Sequence, residues 1–198
     1  MKRVALFGGS FNPITKGHIK VANAVLKKYS FDCFWFMPCY NHNLGKSLEC
    51  QIHRMEMIEK AIKSSRNKKM MEVCRYEIVK QSEGKTYNTL TELTEQLKFI
   101  NFTYVIGMDC AIDIKKWYKW RKLINEFNFI VVERKGYECE DINRWFDHKP
   151  HKVLRIDCGS NYSSTEARKA ILTDDKELME KLMYKNVVDY INTQGLYK

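Results

Sequence analysis

Short apolar runs alternate along this chain with longer segments whose apolar residues recur every three or four positions. Residues 4–7, 33–37, 104–106, 127–132 and 153–156 are near-continuous apolar runs and read as strands, and 71–74 is a weaker one. Pro38 closes the second run and Gly107 the one at 104–106. Helical spacing predicts helices over 17–28, 48–63, 87–97, 109–115, 120–125, 141–146, 164–172, 176–183 and 187–192. The first of these places Ile19, Ala22, Val25 and Leu26 on one face; the second carries Ile52, Met55, Ile58 and Ile62.

Strands that alternate with helices over nearly the whole length predict an α/β fold with a mostly parallel sheet. Ligands of such sheets bind beyond the carboxyl ends of the strands, where the strand order reverses. The loops after the predicted strands are therefore the places to look for chemistry.

Composition narrows the picture in three ways. A length of 198 residues with 44% hydrophobic and 29% charged residues fits one globular domain, taken here as 1–198 with a helical C-terminal part from about 160. No apolar run approaches the ~20 residues that cross a bilayer, and no signal pattern opens the chain, so neither a membrane partner nor export is expected. Seven scattered cysteines without a C-x-x-C pair suggest reduced thiols, hence a cytoplasmic location with the nucleus left open, and no bound metal. The formal charge of +10 points to anionic partners. It is spread along the chain, and the short clusters at 66–69 and 115–121 read as solvated basic surface.

The first turn carries the strongest signal. The sequence RVALFGGSFNPITKGH sets Gly8-Gly9 directly after a buried strand and Gly17-His18 at the entry to a helix. Glycines let a ligand approach the backbone, and a helix N-terminus favours phosphate. A histidine there can add a charge-assisted bond to the same oxygens. Neither common phosphate-loop pattern is present: Gly45-Lys46-Ser47 has Tyr40 where the first glycine of G-x-x-x-x-G-K-[ST] belongs, and G-x-G-x-x-G is absent.

GGSFNPITKGH resembles the [H/T]-x-G-H signature of the nucleotidyltransferase superfamily, and within it the nicotinate/nicotinamide mononucleotide adenylyltransferases. The segments GKTYNTLTEL, YVIGMDCAIDIKKWYKWRKL, FIVVERKG, NYSSTEARKAI and VVDYINTQGLY are similar to further family segments, in family order. Two positions depart from many bacterial members, which have His in place of Thr15 and Asp in place of Asn12.

The resemblance implies a Rossmann-like, doubly wound fold with helices on both faces. It implies transfer of AMP from ATP to nicotinate mononucleotide, with Mg2+ accompanying ATP and no nucleic acid as partner. Gly8, Gly9, Ser10 and Phe11 would contact the nucleotides through backbone and ring edge. Thr15 and His18 would hold ATP phosphates, with His18 facing the charge that develops at the α-phosphorus. Ser163, Ser164, Thr165 and Arg168 would hold the triphosphate, and Ser163 with Glu166 also fits a capping box. Gly107 and Asp109 would meet a ribose hydroxyl. On the mononucleotide, Lys46 would reach phosphate, as would Arg134; Thr86 and Tyr87 would receive the carboxylate, and Trp117 would stack on the pyridine, with Trp120 a competitor for that place. Alternatives are a dual-specificity enzyme acting also on nicotinamide mononucleotide, another adenylyl- or cytidylyltransferase, and a nucleic-acid-binding protein supported by net charge alone. The sequence leaves homo-oligomerisation open.

Overall fold

The structure is a computed structural model and describes residues 1–41, 47–134, 144–148, 150–157 and 162–198. Its centre is a six-stranded sheet in the order β3-β2-β1-β4-β5-β6, with every pairing parallel. The strands are β1 (Lys2–Gly9), β2 (Cys33–Pro38), β3 (Met71–Val73), β4 (Ile100–Gly107), β5 (Asn128–Arg134) and β6 (Lys152–Ile156). The strand order steps outward one way from β1 to β3 and the other way from β4 to β6. The reversal lies between β1 and β4, and the loops that follow these two strands flank it.

Both faces of the sheet are covered, which is why its strands read as unbroken apolar runs. Successive side chains of β1 go to opposite sides. Ala5 joins Phe34, Phe36, Val105 and Ile130 in one core, and Val4 and Leu6 join Phe102, Ile106, Phe129 and Val131 in the other. The first core is closed by α1 (Lys16–Lys28), α2 (Gln51–Lys63), α7 (Ser164–Leu172), α8 (Lys176–Leu182) and α9 (Lys185–Gln194). The second is closed by α4 (Thr86–Gln96), α5 (Met108–Ile112) and α6 (Trp120–Glu126). The α/β reading and the helical C-terminal part are as the sequence predicts. Among the described residues no helix is long and apolar enough to cross a membrane.

Local chemistry fixes several helix ends. Ser163 caps α7 by accepting the Glu166 N–H at 3.0 Å, and Asp175 caps α8 by accepting the Leu178 N–H at 3.0 Å. Gly195 ends α9 at φ +63°, the left-handed geometry that favours glycine.

Several expectations need correction. The second helix begins at Gln51, not 48, because Ser47 and Glu49 use their backbone groups to bond the Asn12 side chain. Its buried face is Arg54, Met57, Ile58, Ala61 and Ile62, whereas Ile52 is 60% exposed. The predicted helix at 109–115 divides into α5 and a 3-10 turn at Asp113–Lys116. A one-turn helix α3 (Tyr76–Val79) had no sequence counterpart. Of the predicted helix at 141–146, residues 141–143 lie outside the described residues, and Trp145–Asp147 forms a 3-10 turn.

Near the reversal the two central strands fit together through a missing side chain. Tyr104 of β4 is 5% exposed, and its hydroxyl occupies the space where a side chain on Gly8 of β1 would begin. Gly8→Ala is therefore expected to cost about 1–3 kcal/mol of stability through overpacking. Combining it with Tyr104→Phe, which removes the obstructing oxygen, should restore part of that loss, as read by denaturant unfolding of both variants.

Candidate active site

The loop from β1 to α1 is held from several sides through its backbone carbonyls. Arg54, on α2 and only 1% exposed, donates to the carbonyl of Ser10 at 2.8 Å. The same guanidinium donates to the carbonyls of Cys39 at 2.8 Å and Glu49 at 2.9 Å. One buried cation thus ties the loop after β1 to the segment after β2 and to the approach to α2. On the other side, Arg168 of α7 donates to the carbonyl of Asn12 at 2.7 Å, and Ser164 donates to the carbonyl of Pro13 at 2.8 Å.

At the end of this loop Thr15 begins α1. The backbone N–H of Thr15 donates to His18 Nδ1 at 2.9 Å, and the backbone N–H of His18 donates back to the Thr15 carbonyl at 3.1 Å. Histidine takes the place that glutamate or glutamine has in a capping box. The consequence is chemical. A nitrogen that accepts an N–H carries no proton of its own, so the hydrogen-bond pattern assigns the proton of the neutral imidazole to Nε2. The Thr15 hydroxyl proton has two acceptors in reach, that same Nδ1 at 2.9 Å and the carbonyl of Tyr162 at 3.2 Å. The imidazole is backed by Phe11, whose ring stands edge-on to it with centroids 5.2 Å apart.

Phe11 and Thr15 are each 1% exposed. The Phe11 ring packs against Phe7 and Phe36 as well as His18, so its edges are engaged within the protein. Phe11 sits at φ 44°, the left-handed region, which turns the chain sharply after Ser10. Gly17 lets the segment before α7 approach: a Cβ there would lie 2.6 Å from that of Tyr162.

At the start of α7, Ser164 and Arg168 are the residues that bond this loop, with Ser163 as the cap and Thr165 beside them in the first turn. Arg168 reaches the Thr165 hydroxyl at 3.4 Å while holding Asn12. Of the expected capping box, the Glu166 N–H bonds the Ser163 hydroxyl, while the Glu166 carboxylate pairs with Lys169 at 3.1 Å.

Across the reversal, Gly107 caps α5, and Asp109 lies exposed in the first turn with its carboxylate folded back over Gly107. Thr86 opens α4 and hydrogen-bonds the phenol of Tyr104, which already lies beneath Gly8. The start of α4 is thereby fixed beside the glycine pair. Tyr87 donates its hydroxyl to Glu126 at 2.9 Å. Lys119 sits 5.1 Å from the Tyr87 ring and Lys85 5.2 Å from the Tyr118 ring, so the turn at 117–119 packs onto the start of α4. Trp117 is half-buried in that turn; Trp120 is half-buried too, with Arg121 stacked 4.6 Å over it. Lys46 and the side chain of Arg134 lie outside the described residues, although Arg134 ends β5.

A family model described as cytidylyltransferase-like matches residues 6–170, which include the glycine pair, His18, Asp109 and Arg168. The nicotinate-nucleotide adenylyltransferase of Bacillus subtilis is 30% identical over the full length of both chains. The chain belongs to the nicotinate-nucleotide adenylyltransferase family. A relative named probable nicotinate-nucleotide adenylyltransferase from Clostridium perfringens is 30% identical, covering 100% of this chain and 99% of its own. The solved Plasmodium falciparum nicotinic acid mononucleotide adenylyltransferase complexed with NaAD aligns with a TM-score of 0.84 at 26% identity, covering 100% of this chain and 98% of that one.

Sequence reasoning had not found the supporting framework of this family member. Arg54 faces Glu77 of α3, which is 4% exposed and accepts from the Thr89 hydroxyl at 3.0 Å and from the backbone of Tyr40. Burial pushes the Glu77 carboxyl above the usual range, against the pull of those hydrogen bonds and of Arg54. The readable signal for Arg54 was its place on the apolar stripe of α2, one turn before Met57 and Ile58.

The raised Glu77 carboxyl has a definite sign in stability. A carboxyl whose folded pKa lies above its unfolded value binds more protons in the folded state, so its contribution is complete at acid pH and is lost as pH rises through the folded value. Glu77→Gln, which retains an acceptor for Thr89 and Tyr40, should lack this loss. The melting temperature of the wild type relative to the variant is expected to fall as pH is raised from about 4.5 toward neutrality; a constant difference would contradict the assignment.

Proposed function

We propose that the protein transfers the adenylyl group of ATP to nicotinate mononucleotide, forming nicotinate adenine dinucleotide and pyrophosphate, as a step of NAD synthesis. The observation that carries this is the imidazole at the entry to α1, its Nδ1 committed to the Thr15 N–H, in a chain similar over its full length to proteins named for this reaction. A phosphate oxygen of the mononucleotide attacks the α-phosphorus of ATP. The new P–O bond forms as the bond to the β-phosphate oxygen breaks, and the electron pair leaves with pyrophosphate. The attacking oxygen is already anionic at neutral pH, so the protein need supply no general base; positioning and charge stabilisation suffice.

In this reading Nε2–H of His18 donates to an oxygen on the α-phosphorus, where negative charge grows. Thr15 acts behind it, orienting the ring. Arg168, with Ser164 and Thr165 at the start of α7, holds the triphosphate, and Gly8 and Gly9 let the nucleotide lie against the end of β1. Asp109 accepts from a ribose hydroxyl. ATP enters as its magnesium complex, the ion travelling with the substrate on its phosphate oxygens. The N-terminus of α4 at Thr86 and Tyr87 receives the pyridine carboxylate, favoured by its N–H groups and dipole. Trp117 stacks on the pyridine, and Lys46 and Arg134 approach the mononucleotide phosphate. We further propose a cytoplasmic location, supported by Cys33, Cys39 and Cys74, whose side chains are unbridged thiols.

Pyrophosphate release with Mg-ATP should be far faster with nicotinate mononucleotide than with nicotinamide mononucleotide. Comparable rates would make the enzyme dual-specific, and no release with either would refute the assignment. His18→Ala should lower kcat by about 10²–10³, the usual effect of removing one donor to developing charge, while the lost capping bond lowers the melting temperature by only about 2–4 °C. Trp117→Ala should raise KM for the mononucleotide more than for ATP; equal effects on both would make Trp117 a packing residue.

A further inference from the structure

Asn12 is the meeting point of three parts of the chain that are distant in sequence. It is 5% exposed, and its side-chain oxygen accepts from the backbone N–H of Glu49 at 3.0 Å and from the hydroxyl of Tyr197 at 2.9 Å. Its amide nitrogen donates to the carbonyl of Ser47 at 3.3 Å, and its backbone carbonyl accepts the Arg168 guanidinium at 2.7 Å. With two donors on one side and an acceptor on the other, the carboxamide has one orientation, because a flip would set N–H against N–H. The phenol that completes this arrangement comes from beyond α9. Leu196 anchors it, 6% exposed in the core of the first sheet face.

We infer that Tyr197 is a positioning residue for ATP: its hydroxyl locks the Asn12 carboxamide, and Asn12 in turn fixes the carbonyl on which Arg168 is aimed. This rests on the reading of Arg168 as a triphosphate ligand. The phenol touches no substrate in this account. It acts through two hydrogen bonds in series, and it acts on the ATP side of the site because Asn12 contacts α7 directly. Burial first, and then the Glu49 carboxylate, favour a neutral donor at this position against the opposing pull of Arg54 and Arg168. Burial raises the phenol above its ordinary range, so it keeps its proton at neutral pH. A protonated phenol is also the only form that can donate to an oxygen already receiving an N–H.

The test compares Tyr197→Phe, which keeps the ring and removes the hydroxyl, with Leu196→Ala, which loosens the same anchor and leaves the hydroxyl in place. Mg-ATP binding is measured by calorimetry without acceptor, alongside steady-state pyrophosphate release and melting temperature. Tyr197→Phe is expected to weaken Mg-ATP binding and raise KM for ATP by about three- to tenfold, the effect of one lost hydrogen bond, with KM for the mononucleotide unchanged and the melting temperature within about 4 °C. Leu196→Ala is expected to lower the melting temperature further while shifting ATP affinity less. In an Arg168→Ala background the Tyr197→Phe effect on ATP binding should vanish. Unchanged ATP affinity in Tyr197→Phe would overturn the inference, as would equal changes in both substrates that follow the loss of melting temperature, or an undiminished effect without Arg168. A wild type that binds Mg-ATP but releases no pyrophosphate with nicotinate mononucleotide would refute the proposed reaction, leaving the affinity ratio to judge Tyr197; a wild type that does not bind Mg-ATP would overturn both.

Discussion

The arrangement of the site depends on side-chain donors that pin the carbonyl oxygens between β1 and α1. Ser10 is held by Arg54, Asn12 by Arg168 and Pro13 by Ser164. A loop rich in small and turn-forming residues has many conformations to lose, at roughly 1–2 kcal/mol for each residue fixed. Buried or charged donors on carbonyls counter that cost more strongly than neutral surface bonds do. Pinning a carbonyl also aims the amide that follows. In a planar trans peptide the N–H points opposite to the C=O, so the bond from Arg54 to Ser10 directs the Phe11 N–H away from α2. The donors come from α2 on one side and α7 on the other, and so the first turn keeps its shape only when helices more than a hundred residues apart have docked on the same sheet face.

That dependence decides where charge is placed. A formal charge of +10 suits a protein that must bring two anions together, yet the site's order rests on a cation withdrawn from solvent. Arg54 is compensated by three carbonyls and by the neighbouring Glu77, and its role ends with holding the loops. Burying such a cation without these partners would cost several kcal/mol, which is why α3, one turn long, is needed to deliver Glu77. Arg168 is different. It is only half-buried, and among the described residues no carboxylate forms an ion pair with it. One arginine is structural; the other carries a charge that no carboxylate among the described residues neutralises, as the proposed hold on triphosphate requires.

The parts of this architecture that repeat a local rule could be read from the sequence. Buried parallel strands announce themselves as apolar runs, and the turn at Gly8-Gly9 with Gly17-His18 stands out because glycine, proline and histidine crowd one junction. The start of β4 was hidden, since Asn101 and Thr103 interrupt its apolar run at the sheet's edge of burial. Helix α3 was hidden because one turn has no period to detect. The framework was hidden for a deeper reason: Arg54 bonds to carbonyls, and carbonyls belong to every residue alike. The expected partners of Thr15 and Phe11 were external for the same reason, since a sequence shows which groups can bind but not which are already bound.

The two departures from the commoner bacterial pattern acquire a physical meaning from this network. At position 12 an amide both donates to Ser47 and accepts from Glu49 and Tyr197. An aspartate there could accept the same two donors, but it would set a carboxylate oxygen against the Ser47 carbonyl and place a negative charge beside Arg168. The guanidinium would then be drawn into an ion pair within the loop, and phosphate would have to compete for it. With asparagine, Arg168 is held only by a neutral backbone carbonyl. At position 15 a short hydroxyl does for His18 what a longer side chain could not do from the same place: it fits at 1% exposure between the imidazole and the Tyr162 carbonyl. Thr15 therefore fixes the direction of the His18 ring, and in the proposed reaction it is the histidine that meets phosphate.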